Sequence, residues 1–179
     1  MTTIVAIQYP DRVVFGADNQ VTAPNGRKYN HEKMVKISER GKFLIAGSGE
    51  VIACDLAQHL WNPPAPNATD KKDIYHFVIS KVIPSLKQCF KDNDYKLDAD
   101  SSDGENRFSF LISVAGEVFE IADDFSVSMT DHGFYGVGSG SSYAIGALHA
   151  GAEIEFALEI ASRNDVYTSG PFIYYTQEK

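Results

Sequence analysis

Residues 1–22, MTTIVAIQYPDRVVFGADNQVT, carry the strongest structural pattern in the chain. Two short runs rich in β-branched and aromatic residues, 3–8 and 12–17, flank the turn-forming segment YPD at 9–11. This arrangement predicts a β-hairpin. The stretch also raises a chemical question, because two threonines follow the first methionine and an acid, Asp18, ends the second apolar run. An unpaired carboxylate would be costly to bury there.

The composition limits the classes of protein to consider. A chain of 179 residues with 44% hydrophobic residues predicts a single folded domain over 1–179 with a full core. A formal net charge of −8 argues against a nucleic-acid or anionic-membrane partner. We see no apolar run of roughly 20 residues for a membrane span, and no pattern typical of a signal peptide. Cys54 and Cys89 are expected to be buried free thiols, which favours a reducing cytoplasm.

The rest of the sequence alternates between groups of strands and groups of helices. Apolar residues four apart, such as Ile74, Val78 and Val82, indicate an amphipathic helix over about 71–90, in which Pro84 predicts a kink. Further strands are predicted at 34–37, 42–46, 108–114, 118–122, 135–137 and 172–176, and further helices around 52–60, 138–150 and 153–162. This order predicts an α+β fold, a four-layer αββα sandwich of two packed, mainly antiparallel sheets flanked by helix pairs.

Five motifs in this order resemble those of proteasome β-type subunits, which are N-terminal-nucleophile (Ntn) hydrolases, and most of all the bacterial HslV peptidases. The similarity spans Thr2 to about Gly170, and the acidic segment 91–106 is its least family-like part. The motifs are TTIVAIQYPDRVVFGADNQVT (2–22), KMVKI (33–37), IAGSG (45–49), VGSGSSYAIGALHAG (137–151) and DVYTSG (165–170). The resemblance implies the Ntn-hydrolase fold and a threonine endopeptidase that hydrolyses peptide bonds.

Thr2 is the candidate nucleophile, provided that Met1 is removed. A threonine hydroxyl needs a base to take its proton, and a free α-amine titrates at about 7.7–8.0, close to working pH. A chain-terminal threonine therefore carries its own base. Without the other motifs, a frayed and solvated terminus would be the simpler interpretation of Thr2, and Thr3 is assigned to the strand.

The resemblance assigns Asp18 and Lys33 as an ion pair beside Thr2, where the positive charge would lower the proton affinity of the Thr2 amine and hydroxyl. Counted along the sequence from Thr2, Asp18 stands at the position that the resemblance leads us to expect, whereas Lys33 falls one residue early. Lys28 and Lys36 are competing candidates. If residues 33–37 alternate as a strand, Lys36 lies on the opposite face from Lys33.

The remaining site residues also follow from the resemblance. Gly47 is expected to offer its backbone N–H to the developing oxyanion, with Gly49 as the rival. Ser139 would relay protons beside the Thr2 amine and could also cap a helix. Asp165 and Thr168 would orient the nucleophile, with Ser169 as the alternative hydroxyl. No cofactor is required, and a candidate Na⁺ site is implied at the backbone of Ser162, Asp165 and Thr168.

The resemblance further implies a specificity pocket and an assembly. His31, Val35, Ile45 and Gly49 would approach the first pocket, which predicts a preference for apolar or modest-sized residues. Identical subunits are expected to form stacked rings, hexamers or heptamers, that act on unfolded proteins with an ATP-dependent unfoldase as partner. Two alternatives remain open, a catalytically silent proteasome-like subunit with an assembly or binding role, and a small-molecule Ntn amidase.

Overall fold

Residues 2–23, 25–96 and 107–179 are described by a computed structural model, in which the strands form two large sheets and one small one. One sheet has the order β10-β1-β2-β11, the other the order β5-β6-β7-β8-β9, and β3 pairs with β4. All the pairings are antiparallel. The strands are β1 Ile4–Gln8, β2 Arg12–Ala17, β3 Val21–Thr22, β4 Lys28–Tyr29, β5 Ile37–Arg40, β6 Phe43–Gly49, β7 Phe108–Val114, β8 Glu117–Ala122, β9 Val127–Ser128, β10 Phe134–Val137 and β11 Ile173–Glu178.

The helices come in two groups. In the first, α1 (Val51–Asp55) continues as a π-helical turn, Leu56–Leu60, and a short 3₁₀ turn, Asp70–Lys72, precedes a second helical stretch. That stretch consists of α2 (Ile74–Phe77), a π-helical turn (Val78–Val82) and α3 (Ile83–Asp92). The second group is α4 (Ser141–His149) and α5 (Ile154–Asn164).

Three apolar clusters connect these elements. The first joins the five-stranded sheet to α1–α3, and within it Phe90 meets Phe108 edge-on at 5.5 Å between ring centroids. The second contains residues from both sheets, such as Phe15 of β2 and Leu111 of β7. The third joins β1 and β2 to α4 and α5, for example Val5 to Leu158. Burial of these side chains stabilises each by about 1.5–3 kcal/mol relative to exposure.

The predicted elements are largely present, with shifted boundaries. The strand predicted at 34–37 begins only at Ile37, and the hairpin of β3 and β4 was not predicted. In the helix predicted around 52–60, the apolar residues Ile52, Leu56 and Leu60 are four apart and were expected to share a buried face. That expectation is wrong in part, because Leu56 is buried whereas Ile52 and Leu60 are more than half exposed. A wide π turn lies directly before Pro84, where the kink was predicted. Most of the acidic segment 91–106 lies outside the described residues.

The fold places the start of the chain against the end of β2. Thr2 and Thr3 precede β1, and the amide of Asp18, just after β2, donates to the Thr3 carbonyl at 3.1 Å. The loop before α4 lies against the same residues, because the Gly140 amide donates to the Thr2 carbonyl at 3.4 Å. Gly138 has φ +93°, and a side chain there would collide with that carbonyl. The N-terminal threonines are therefore enclosed by the ends of several elements.

Candidate active site

Asp18 is the centre of the site. Its side chain is fully buried, and its Oδ1 accepts the Thr2 hydroxyl at 3.1 Å, the Thr3 amide at 2.8 Å and the Lys36 ammonium at 2.7 Å. Its Oδ2 accepts the Gln20 amide at 3.0 Å. A buried carboxylate is tolerated when it is paired and hydrogen-bonded in this way. The partner that the sequence demanded for Asp18 is therefore present.

That partner is Lys36, so the predicted ion pair between Asp18 and Lys33 is wrong. Lys36 is 8% exposed, whereas Lys33 is exposed and its backbone amide donates to the His31 ring at 3.1 Å. Strand β5 starts at Ile37, so residues 33–36 lie outside it and the alternation expected for a strand does not apply to them. Side chains alternate between two faces only in extended strands.

Burial lowers the pKa of the Lys36 ammonium, and the charge and hydrogen bond of Asp18 oppose that shift. Desolvation disfavours the charged form of a lysine, while an adjacent carboxylate favours it. The nearest charged neighbour of the Thr2 hydroxyl is thus a desolvated ion pair, in which electrostatic interactions are stronger than in water. Such a pair can shift the proton affinity of a neighbouring hydroxyl or amine.

A second polar cluster adjoins Thr3. Asp165 Oδ2 accepts the hydroxyls of Ser139 at 2.8 Å and of Thr168 at 2.5 Å. The Thr168 and Thr3 hydroxyl oxygens are 2.6 Å apart. Ser169 instead donates to the Gln20 side chain at 2.7 Å, so the hydroxyl beside the acid is that of Thr168. The structure therefore brings Ser139, Asp165 and Thr168 together next to Thr3; their catalytic roles stay predictions.

The backbone amide predicted at Gly47 is already engaged. Gly47 is buried, and its N–H donates to the Lys36 carbonyl at 3.3 Å. In an antiparallel ladder successive residues bond to opposite neighbours, and the Glu50 amide bonds to the Arg107 carbonyl on the β7 side. The Gly49 amide therefore faces the β5 side, beyond the end of β5. Since Gly49 is also exposed, the rival candidate fits the oxyanion role better than Gly47.

A cavity of about 240 Å³ opens beside these residues. Of the four predicted pocket residues, Val35 and Gly49 line it. His31 and Ile45 do not line it: His31 is exposed, and Ile45 is fully buried in the cluster under α1–α3. The lining residues are Thr2, Gln20, Val21, Thr22, Lys33, Met34, Val35, Lys36, Gly47, Ser48, Gly49, Val51, Cys54, Asp55, Gln58 and His59.

One wall of this cavity was not predicted from the sequence. Val51, Asp55 and His59 are four residues apart and line it together from α1 and the π turn that follows. Residues spaced in this way share one face of a helix. The i, i+4 spacing of Val51, Asp55 and His59 is the signal in the sequence that could have indicated this wall.

Cys54 contributes a thiol to the lining of the cavity. Burial raises the pKa of its thiol to about 12, and a side chain at Gly47 would run into its sulfur. With that pKa, a fraction on the order of 10⁻⁴ would be thiolate at about pH 8. Because the thiolate is the nucleophile, Cys54 is a poor rival to Thr2.

We expect Cys54 to resist alkylation in the native protein. Iodoacetamide at about pH 8 should leave a Cys89→Ser variant, which retains only Cys54, unmodified by intact mass, whereas the unfolded variant should take up one adduct. The matched Cys54→Ser variant reports Cys89, a half-buried thiol whose pKa burial also raises. Fast native modification of Cys54 would contradict the raised pKa.

The residues implied for Na⁺ lie at the C-terminal end of α5. Ser162 is in its last turn, Asp165 follows its final residue, and Thr168 closes a turn by donating its amide to the Asp165 carbonyl at 3.1 Å. Helix C-termini leave carbonyl groups without helical partners and carry partial negative charge. Both properties favour a cation at this end of α5, and Na⁺ binding there stays a prediction.

Comparison with known proteins agrees with this geometry. The sequence matches no protein-family model. It is 29% identical over 181 residues to the ATP-dependent protease subunit HslV of Caldanaerobacter subterraneus subsp. tengcongensis, covering 94% of this chain and 93% of the relative. The HslV subunit of Thermoanaerobacter pseudethanolicus is 27% identical with the same coverage. The resemblance to HslV-like peptidase subunits is confirmed.

Solved structures with the same fold add support at lower sequence identity. Thiobacillus denitrificans BPH in complex with epoxomicin superposes with a TM-score of 0.75 at 21% identity, over 98% of both chains. HslV from Trypanosoma brucei gives a TM-score of 0.69 at 20% identity, over 99% of both chains. The chain therefore shares its fold with HslV and with BPH, and the HslV relatives support a threonine endopeptidase.

Proposed function

We propose that this chain is the threonine endopeptidase subunit of a self-compartmentalising protease and acts as a single peptidase domain over 1–179. The observation that carries the proposal is the hydrogen bond from the Thr2 hydroxyl to the buried Asp18–Lys36 ion pair, at the wall of an open cavity. This arrangement supplies a nucleophile and a fixed charge at one place. The proposal requires that Met1 be removed, which a small second residue such as threonine favours.

The first chemical step forms an ester. The Thr2 Oγ attacks the carbonyl carbon of the scissile peptide bond, and its proton passes to the Thr2 α-amine. The carbonyl electron pair moves onto oxygen, where the Gly49 amide would stabilise the charge. When the tetrahedral intermediate collapses, the C–N bond breaks and the leaving amine takes the proton from the α-ammonium group. The acyl group stays on Thr2.

The second step restores the enzyme. A water molecule gives one proton to the α-amine and attacks the ester carbon, and collapse returns that proton to the Thr2 oxygen. The carboxylic acid product leaves the cavity. Through both steps the Lys36 charge favours the deprotonated form of the hydroxyl, and Asp18 holds Lys36 and the Thr3 amide in fixed positions.

A second group of side chains would hold Thr2 in place indirectly, through its neighbour Thr3. This group consists of Ser139, Asp165 and Thr168. Their shared hydrogen bonds fix the Thr168 hydroxyl against the Thr3 hydroxyl and so fix the backbone that leads to Thr2. Bound Na⁺ at the carbonyls of Ser162, Asp165 and Thr168 would neutralise the C-terminal end of α5 and hold this loop. Peptide hydrolysis itself would need no cofactor.

Substrate choice and assembly are inferred from the cavity and the relatives. The cavity volume, with Val35, Met34 and Val51 in its lining, supports a preference for apolar or modest-sized residues before the cut. We also infer stacked homo-oligomeric rings of six or seven subunits in the cytoplasm, with an ATP-dependent unfoldase as partner, since the relatives are subunits of an ATP-dependent protease.

The layer order helix, sheet, sheet, helix is part of the same proposal and is supported by the three apolar clusters.

None of the helices in the described part of the chain reaches the length and apolar character needed to cross a bilayer.

Hydrolysis of an unfolded protein tests this function against its alternatives. The purified chain should degrade casein and cleave fluorogenic peptides with apolar residues before the cut, and it should elute from a sizing column as a multi-subunit ring. A chain that hydrolyses only small acyl amides would instead be an amidase. A ring without any hydrolysis would be a silent subunit, and a stable monomer would contradict the compartment.

A further inference from the structure

A network of charged and aromatic side chains lies behind Gly49, outside the residues that the mechanism uses. Arg107 donates to both carboxylate oxygens of Glu50, from Nε at 3.1 Å and from Nη2 at 3.4 Å. The Tyr95 hydroxyl donates to Glu50 Oε2 at 2.7 Å, and the guanidinium lies 4.7 Å from the Tyr95 ring centroid. Arg107 also donates from Nη1 to the Lys96 carbonyl at 2.8 Å. Paired guanidinium–carboxylate contacts fix geometry as well as adding energy.

The same residues hold the backbone on both sides of Gly49. The Glu50 amide donates to the Arg107 carbonyl at 2.7 Å, and the Arg107 amide donates to Asp123 at 2.8 Å. Gly49 has φ +108°, and a side chain on it would collide with the Arg107 carbonyl. Arg107 is therefore bonded to the residue after Gly49 through its backbone and its side chain, while its carbonyl closes the space beside Gly49.

Glu50 has no direct part in the cavity. Its neighbours Gly49 and Val51 line it, whereas Glu50, Tyr95 and Arg107 do not. Desolvation alone would raise the pKa of the Glu50 carboxyl, but the hydrogen bonds from Arg107 and Tyr95 and the charge of Arg107 together outweigh it and lower that pKa. The carboxylate is therefore ionised at neutral pH, and the pair is charged when the enzyme works.

We propose that Arg107, acting through Glu50 and Tyr95, is a positioning residue that holds the Gly49 amide where the oxyanion forms. This inference rests on the proposed function. Displacement of an oxyanion donor by about 1 Å can cost up to about 10²-fold in rate. The network would therefore act on the transition state, while binding of the ground-state peptide would depend on the cavity walls.

The test compares Arg107→Met with Arg107→Lys in the assembled protein. Arg107→Met should lower kcat by about 10-fold or more with KM changed less than about twofold, and should weaken a peptide boronate, which mimics the tetrahedral state, by a similar factor. The matching peptide carboxamide should bind as before. Arg107→Lys retains a charged contact to Glu50 and should recover part of kcat.

Two further readouts separate positioning from general stability. Lys81→Met removes a comparable ion pair to Asp70, 2.7 Å long and away from the cavity lining, and should leave kcat and boronate affinity unchanged. Tyr95→Phe removes one hydrogen bond to Glu50 and should lower kcat less than Arg107→Met does.

Amide hydrogen exchange of a peptide covering Gly49 and Glu50 tests the network without relying on activity. Exchange should be faster in Arg107→Met than in the wild type. Unchanged exchange in Arg107→Met would overturn the inference, whether or not the wild type is active. An inactive wild type would count against the proposed function and not against the network. Faster exchange in an active variant with wild-type kcat would overturn the inference alone.

Discussion

Replacement of Thr2 by alanine should reduce kcat/KM for peptide hydrolysis by at least about 10⁴-fold, because the nucleophile and its ester intermediate are lost. The α-amine remains in this variant, so the loss reports the hydroxyl alone. Thr2 is 3% exposed, and its hydroxyl donates a hydrogen bond to Asp18. Removal of this hydroxyl leaves the ion pair between Lys36 and Asp18 in place, because the two side chains contact each other directly. Steady-state kinetics on a fluorogenic peptide measure the effect.

Two control variants define the role of Thr2. Thr2→Ser keeps a hydroxyl and should retain measurable hydrolysis, whereas Thr3→Ala should keep the nucleophile and lose only the contact with Thr168. If Thr2→Ala retained more than about a tenth of the activity while folded, Thr2 would not be the nucleophile.

Lys36→Met should reduce kcat by about 10²–10³-fold, and Lys33→Met should change it by less than about threefold. The two lysines both line the cavity, but Lys36 pairs with Asp18 at 2.7 Å and Lys33 is exposed. The size of the expected loss is that of one electrostatic contributor to a transition state. Equal losses in the two variants, or a greater loss at Lys33, would contradict the site described above.

The stability of the Lys36→Met variant needs its own control. Removing one partner of a buried ion pair typically costs about 3–5 kcal/mol, so thermal unfolding must show that the variant is folded at the assay temperature. Asp18→Asn is a second route to the same question. It removes the charge of the partner with little change in shape and should also abolish most activity.

The sequence pattern was most informative where one periodicity dominated. The hairpin of β1 and β2 follows from two apolar runs around a Pro-containing turn, and β7 appears at the predicted residues, 108–114. Asp18 could also be recognised, because an acid at the end of a buried strand demands a partner. Thr2 depended on the family resemblance, since a threonine near a terminus has no distinctive local pattern.

Lys36 could not be chosen over Lys33 from periodicity, because the choice depends on where β5 begins. Strand ends are set by tertiary contacts, here the pairing of Ile37 with Ala46. The choice between the Gly47 and Gly49 amides as oxyanion donor depends on the same strand end. The Gly47 amide donates to the Lys36 carbonyl, which leaves Gly49 as the better candidate. The wall formed by Asp55 and His59 also depends on how α1 packs against the sheet, which no local pattern specifies.

The most direct test of the central claim is peptide mapping by tandem mass spectrometry after treatment of the purified protein with an epoxyketone probe. We predict a single adduct on an N-terminal peptide that begins at Thr2, without Met1, and none in the Thr2→Ala variant. An N-terminal peptide that keeps Met1 and carries no adduct, or an adduct on Cys54 in its place, would contradict the assignment of Thr2 as the nucleophile.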